Sequence, residues 1–198
     1  WMIQGIGKIV THIYTSKLLK DSRESTEVKI LQRGEYYLTP FTLDHIDEVI
    51  NGLTKENVRE LALLGYTDVR EALIKMHESS ECYLCRKNNE DFIMIGGLWF
   101  TEDQEWPQMF AMFSDKIKEN FIAMARGSVM FVNYFDEFHN GLSMTILKEY
   151  DFILDWASWL GFEAVGVISN NEIEYVDFVR CNPNKKDVYD GTLQPVIH

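Results

Sequence analysis

Residues 155–162 read Asp155-Trp156-Ala157-Ser158-Trp159-Leu160-Gly161-Phe162. An apolar helical run ends on Leu160 and glycine follows at once, the usual stop of a helix, which here begins near Tyr150. Beyond it, residues 163–169 and 173–180 are strand-like and flank Asn170-Asn171, which predicts a β-hairpin. Just upstream, residues 142–147 read as another strand. This one stretch therefore sets a strand, helix, hairpin order for the C-terminal part of the chain.

Working outward toward the N-terminus, residues 117–139 are predicted mostly helical, with Gly127 inside the helix, where it would allow close helix packing. Residues 108–113 form a strand after an acidic loop that ends at Pro107. Residues 81–86 and 92–100 are paired strands joined by a polar turn, and Gly96-Gly97 in the second predicts a bulge or a close backbone approach. Residues 36–40 form the first strand. Three helical pieces follow it: Thr42 caps residues 43–50, Thr54 opens a helix through Leu64 that Gly65 stops, and Thr67 opens a third with Val69, Leu73, Ile74 and Met76 apolar. Strand, helices, three strands, long helix, strand, helix and hairpin make a mixed α/β (α+β) sheet, mostly antiparallel, with helices on both faces.

Residues 5–20 differ from the rest. Ile6, Ile9, Val10, Ile13, Tyr14 and Leu18 fall at helical spacing among lysines, and the polar run 21–27 separates them from the remainder of the chain. The organisation predicted is an amphipathic basic arm and linker over 1–34, a domain over 35–182 and a tail over 183–198. The arm's apolar face needs a cover, whether its own domain, another protein or a membrane interface. Trp106, in a loop before Pro107, is the aromatic residue expected to make an exposed contact, whereas Trp156 and Trp159 are read mainly as core.

The chain has 198 residues, 46% hydrophobic and 25% charged, with a formal net charge of −12. Such a composition predicts a folded domain rather than a disordered one. The first 34 residues carry six Lys/Arg against three acids, so the body is more acidic than the whole and repels phosphate backbones. Nucleic-acid binding through the body is not expected. The opening residues lack signal-peptide grammar, and no apolar run is long enough to span a membrane.

Three cysteines do not form a disulfide framework, and a reducing compartment is expected. Cys82 and Cys85 have Cys-x-x-Cys spacing, but on a strand they point to opposite faces and read as structural thiols. His12, His45, His77, His139 and His198 are too widely spaced for a metal pair, so no metal is expected; His45 reads as a first-turn residue near its cap. No nucleophile elbow or phosphate-binding loop occurs.

The element order over residues 36–182 resembles the GNAT fold of N-acetyltransferases. The closure Trp159-Leu160-Gly161-Phe162 is similar to that family's leucine-glycine-phenylalanine ending before its sixth strand. A narrower resemblance, carried by residues 107–113, 125–128, 142–146 and 155–162, is to the GNAT-like internal virion proteins of short-tailed bacteriophages. The GNAT resemblance implies an acetyl-CoA site at a glycine-rich turn after the fourth strand and a tyrosine general acid four residues before the closing glycine.

This sequence departs at both places. The turn reads Ser114-Asp115-Lys116-Ile117-Lys118-Glu119-Asn120-Phe121, without glycine, so side chains would crowd the amides and two acids would oppose a diphosphate. Lys116 and Lys118, with Phe113 and Ser114, are the candidate contacts for any cofactor that remains. Ala157 stands at the tyrosine position and Tyr150 at an asparagine position; a methyl group donates no proton. Glu102, Asp103 and Glu105 are the acids available as a general base.

The expectation is thus a non-catalytic GNAT-fold virion or assembly protein with no cofactor, with other virion proteins as partners, in the virion or the host cytoplasm. The alternative is an acetyl-CoA-dependent N-acetyltransferase with a divergent site.

Overall fold

The computed structural model describes residues 31–88, 92–100, 106–170 and 172–185. The amphipathic segment with Ile6, Ile9, Val10, Ile13, Tyr14 and Leu18 lies outside them, as do the tail beyond 185 and Glu102, Asp103 and Glu105.

Eight strands form one sheet: β1 (Leu31–Arg33), β2 (Tyr36–Pro40), β3 (Ser80–Lys87), β4 (Phe92–Trp99), β5 (Gln108–Phe113), β6 (Gly141–Leu147), β7 (Glu163–Asn170) and β8 (Ile173–Cys181). Their order is β1-β2-β3-β4-β5-β6-β8-β7. All neighbours pair antiparallel except β5 and β6. Among the described residues five α-helices accompany them: α1 (Ile46–Gly52), α2 (Lys55–Leu63), α3 (Val69–Ser79), α4 (Phe121–Asp136) and α5 (Asp151–Trp159). Among the described residues no helix is long and apolar enough to cross a membrane.

Helices cover both faces, as the alternation of elements requires. Ile46, Val49, Leu61, Leu73 and Met76 of α1–α3 pack on Leu84, Ile95 and Met112 on one face. Met124, Phe131, Val132 and Phe135 of α4, with Trp156 and Ala157 of α5, pack on Met94, Leu98, Met109 and Met144 on the other. β4, buried on both sides, is accordingly an unbroken apolar run, Phe-Ile-Met-Ile-Gly-Gly-Leu. Cys82 and Cys85 belong to opposite faces; burial pushes their thiols up to about 12 and about 11, so both stay protonated at neutral pH.

Local signals set the boundaries. The Thr54 side chain accepts the Asn57 N–H and caps α2. The cap of α3 is Asp68, whose carboxylate accepts the Arg70 N–H at 2.8 Å, one residue past the expected Thr67. Leu43–His45 forms a 3-10 turn before α1 rather than one continuous helix, with His45 Nδ1 3.0 Å from the Thr42 N–H. The long helix expected from residue 117 is broken: Asp115–Lys118 is a 3-10 turn and α4 starts at Phe121.

Gly161 adopts φ +87°, the left-handed conformation that ends α5. Gly97 is fixed by space: a Cβ there would lie 1.9 Å from the Glu81 carbonyl oxygen, while the bulge of this strand pair sits at Cys85/Arg86. Gly127 is a correction. A Cβ there would meet nothing within 4 Å, so it does not serve close helix packing; it borders an apolar cleft of about 330 Å³ between the β1–β2 hairpin and α4, lined by Tyr37, Met94, Met124 and Met130.

A buried polar knot ties α4, α5 and β8 together. Arg180 Nη1 donates to Asp136 at 2.5 Å and its Nε to the Leu160 carbonyl at 3.1 Å. Asn182 Nδ2 donates to the carbonyls of Asp136 and His139, the latter at 2.8 Å. Both partners of the ion pair are shielded, with side chains 9% and 3% exposed.

Arg180→Ala leaves Asp136 buried without its counter-charge and is expected to cost about 3–5 kcal/mol, measured by urea denaturation. Gly97→Ala is expected to cost about 2 kcal/mol or more in the same assay, because backbone rather than a side-chain tip must move.

Candidate functional site

β5 and β6 run parallel and share one register pair, Gln108 opposite Ser143. From there the strands diverge toward their C-terminal ends, which opens a crevice between Phe113 and Leu147. In open α/β sheets such a crevice at the C-terminal ends of parallel strands is the default ligand site.

Strand alternation decides which main-chain groups face it. Ser114 donates its N–H to Ile93 on β4, so Phe113 turns its own N–H and C=O the other way, toward the side of β6. Both are already paired. The Phe113 N–H donates to Asn57 Oδ1 at 2.7 Å, and its carbonyl accepts the Thr54 N–H at 3.1 Å. Leu53 and Ser114 form an isolated antiparallel bridge beside them. The start of α2 thus pairs with the freed end of β5.

Side chains fill the space as well. Phe113 and Trp156 meet edge to face, with ring centroids 6.3 Å apart. Nearer the surface, Phe121 at the start of α4 and Phe152 at the start of α5 are 5.1 Å apart. They bridge the two helices across the mouth.

The turn after β5 is closed on itself. Ser114 accepts the Ile117 N–H, and Ile117 accepts the Asn120 N–H. The Asn120 side chain donates to the Lys116 carbonyl at 2.8 Å and accepts the Tyr36 hydroxyl at 2.9 Å. The Asn120 side chain is thus taken up by Lys116 and Tyr36, and α4 begins without a side-chain cap. Of the four candidate contacts, Phe113 packs on Trp156, Ser114 is buried, Lys116 is half-buried and Lys118 is exposed. The turn offers two lysines beside Asp115 and Glu119 and contains no glycine.

Ala157 is fully buried in the apolar core, so the position that the GNAT resemblance assigns to the general acid has no proton to give. Three ionisable residues, Glu60, Tyr150 and Tyr175, interact by the crevice, and of these the sequence singles out Tyr150 alone. Burial pushes the Glu60 carboxyl up, against an opposing hydrogen bond from Asn57. Burial and the Glu60 charge raise the phenols of Tyr150 and Tyr175, with Arg59 opposing at Tyr150. Nothing in the pattern around Glu60 marks it, because it lies on an ordinary amphipathic helix and its neighbours Tyr150 and Tyr175 come from the start of α5 and from β8.

Trp106 corrects the expected exposed contact. It is 7% exposed and packs where Gly141 has no side chain; a Cβ on Gly141 would lie 2.6 Å from the indole. Trp159, expected in the core, is 59% exposed, whereas Trp156 is buried. Among the described residues no cluster of three or more metal-ligating side chains occurs.

Several solved structures similar to this one are named as acetyltransferases. A GNAT-family acetyltransferase from Bacillus anthracis aligns with TM-score 0.61 and 11% identity, over 76% of this chain and 97% of the other. Ribosomal-protein-S5-alanine acetyltransferase from Vibrio fischeri aligns at 0.59 and 11%, over 80% and 98%. A spermidine N-acetyltransferase chimera built from the Vibrio cholerae and human enzymes aligns at 0.59 and 10%, over 78% and 99%. No family model matches the chain, and no curated protein matches it. The fold is the GNAT fold.

A raised Glu60 pKa means the folded state binds its proton more tightly than the unfolded chain does. Charged Glu60 therefore opposes folding at neutral pH, and the penalty disappears as pH falls below the ordinary carboxylate value. Glu60→Gln is expected to be more stable than wild type at pH 7, with the difference vanishing near pH 4. Thermal melts across that range measure it.

Proposed function

We propose that this chain uses a GNAT fold without acyl-CoA chemistry and acts through protein contacts, as an internal virion or assembly protein of a short-tailed bacteriophage. The observation that carries the non-catalytic part is the crevice filled by the chain's own groups: Phe113 paired to Thr54 and Asn57, with Phe121 and Phe152 in contact across the mouth. A pantetheine arm would have to displace those hydrogen bonds and aromatic contacts together. The glycine-free turn and Ala157 support the same reading. The virion assignment rests on the sequence resemblance over residues 107–113, 125–128, 142–146 and 155–162; its partners would be other virion proteins, its place the virion or the host cytoplasm.

The second reading is an acetyl-CoA-dependent N-acetyltransferase with a rearranged site. It is favoured by the names of the similar solved structures and by two buried polar atoms at the crevice, Trp156 Nε1 and Ser114 Oγ, which lack a hydrogen-bond partner among the described residues. The Glu60–Tyr150 pair would supply its proton-transfer groups.

Calorimetric titration with acetyl-CoA separates the two. No heat is expected up to about 1 mM ligand; a dissociation constant near 1 µM, equivalent to about −8 kcal/mol, overturns the non-catalytic reading.

A further inference from the structure

Between the β1–β2 hairpin and α4 the chain leaves an apolar cleft of about 330 Å³, lined by Leu38, Met94, Met124, Met130 and Phe131 among others. Gly127 keeps its α4 side open, since a Cβ there would meet nothing within 4 Å. The Tyr36 hydroxyl, donating to Asn120 Oδ1 at 2.9 Å, ties the hairpin to the start of α4. Three methionines give the lining flexible side chains that adapt to what enters.

α4 lacks the polar outer face of an ordinary surface helix. Its charged residues are Arg126 and the buried Asp136 alone. Ile122 and Val129, next in sequence to the lining residues Ala123 and Met130, are 68% and 37% exposed. Cleft and strip together make one apolar surface along a helix of 16 residues, about 24 Å long.

The chain carries a segment of matching length and pattern. Residues 5–20 would span the same distance as a helix, and Ile6, Ile9, Val10 and Ile13 stand at the i, i+3, i+4, i+7 spacing with which a helix docks in a groove. The chain then runs to Leu31, which opens β1 and itself lines the cleft. The intervening residues 21–30 reach roughly 33 Å when extended, enough to return a helix along α4. So short a tether sets an effective concentration in the millimolar region, and a modest apolar contact suffices to hold the segment. Lys8, Lys17 and Lys20, with no acid in residues 5–20, are drawn to a chain whose net charge is −12.

We propose that the segment carrying Ile6, Ile9, Val10 and Ile13 docks as a helix in the cleft of its own chain, alongside α4. The inference holds whether or not the β5–β6 crevice takes acyl-CoA.

The test is methionine-methyl NMR of the full chain. Ile9→Asp combined with Ile13→Asp removes the docking face. The resonances of Met94, Met124 and Met130 are expected to shift, while those of Met76 and Met112, on the opposite face of the sheet, stay. Docking also shields Lys17, and trypsin is expected to cut there at least about tenfold faster in the double variant than in wild type. Gly127→Leu fits the open space, favours the helix and fills the cleft from the α4 side, so it is expected to speed the same cut. Cleft resonances that ignore the double variant overturn the proposal, whether the segment then binds phosphatidylglycerol vesicles or nothing. Shifts that vanish on dilution overturn it too, because they assign the segment to the cleft of a second copy.

Discussion

The parting of β5 from β6 is the constraint around which this domain is arranged. Two parallel strands that share one register pair leave main-chain groups on both inner edges, and buried polar groups must find partners. A cofactor or the protein itself can supply them. Here Thr54 and Asn57 at the start of α2 supply them for Phe113, and the same threonine caps its helix. One short motif thus ends a loop, starts a helix and seals a strand.

Fold and cofactor chemistry draw on different parts of such a sequence. The sheet order, the helices on both faces and the closure at Gly161 depend on hydrophobic pattern and turn residues, which tolerate wide changes in sequence. Cofactor binding depends on a few atoms at one turn. Here that turn has no glycine and forms a 3-10 turn in which Ser114 accepts the Ile117 N–H, on the same scaffold.

Much of the scaffold was legible because its signals are local. Gly161 after Leu160, Thr54 before α2 and the polar turn between β3 and β4 each act within a few residues. β1 was not, since Leu31–Arg33 is three residues long and is held only by pairing with β2. Trp106 was misplaced because its burial depends on Gly141, thirty-five positions away and itself unremarkable in sequence. The crevice filling was equally hidden: Phe113, Phe121, Phe152 and Trp156 look like ordinary core residues until the topology brings them together. Glu60 is the same case with charge in place of aromatic surface.

The Arg180 knot has a consequence for synthesis. Asp136 and Leu160 leave the ribosome well before the guanidinium that satisfies them, which lies near the end of the last strand. A nascent chain halted before residue 180 holds a carboxylate that the interior of the domain does not accept without a cation. The final packing of α4 and α5 against the sheet therefore waits for β8, so this domain folds as one unit rather than piece by piece.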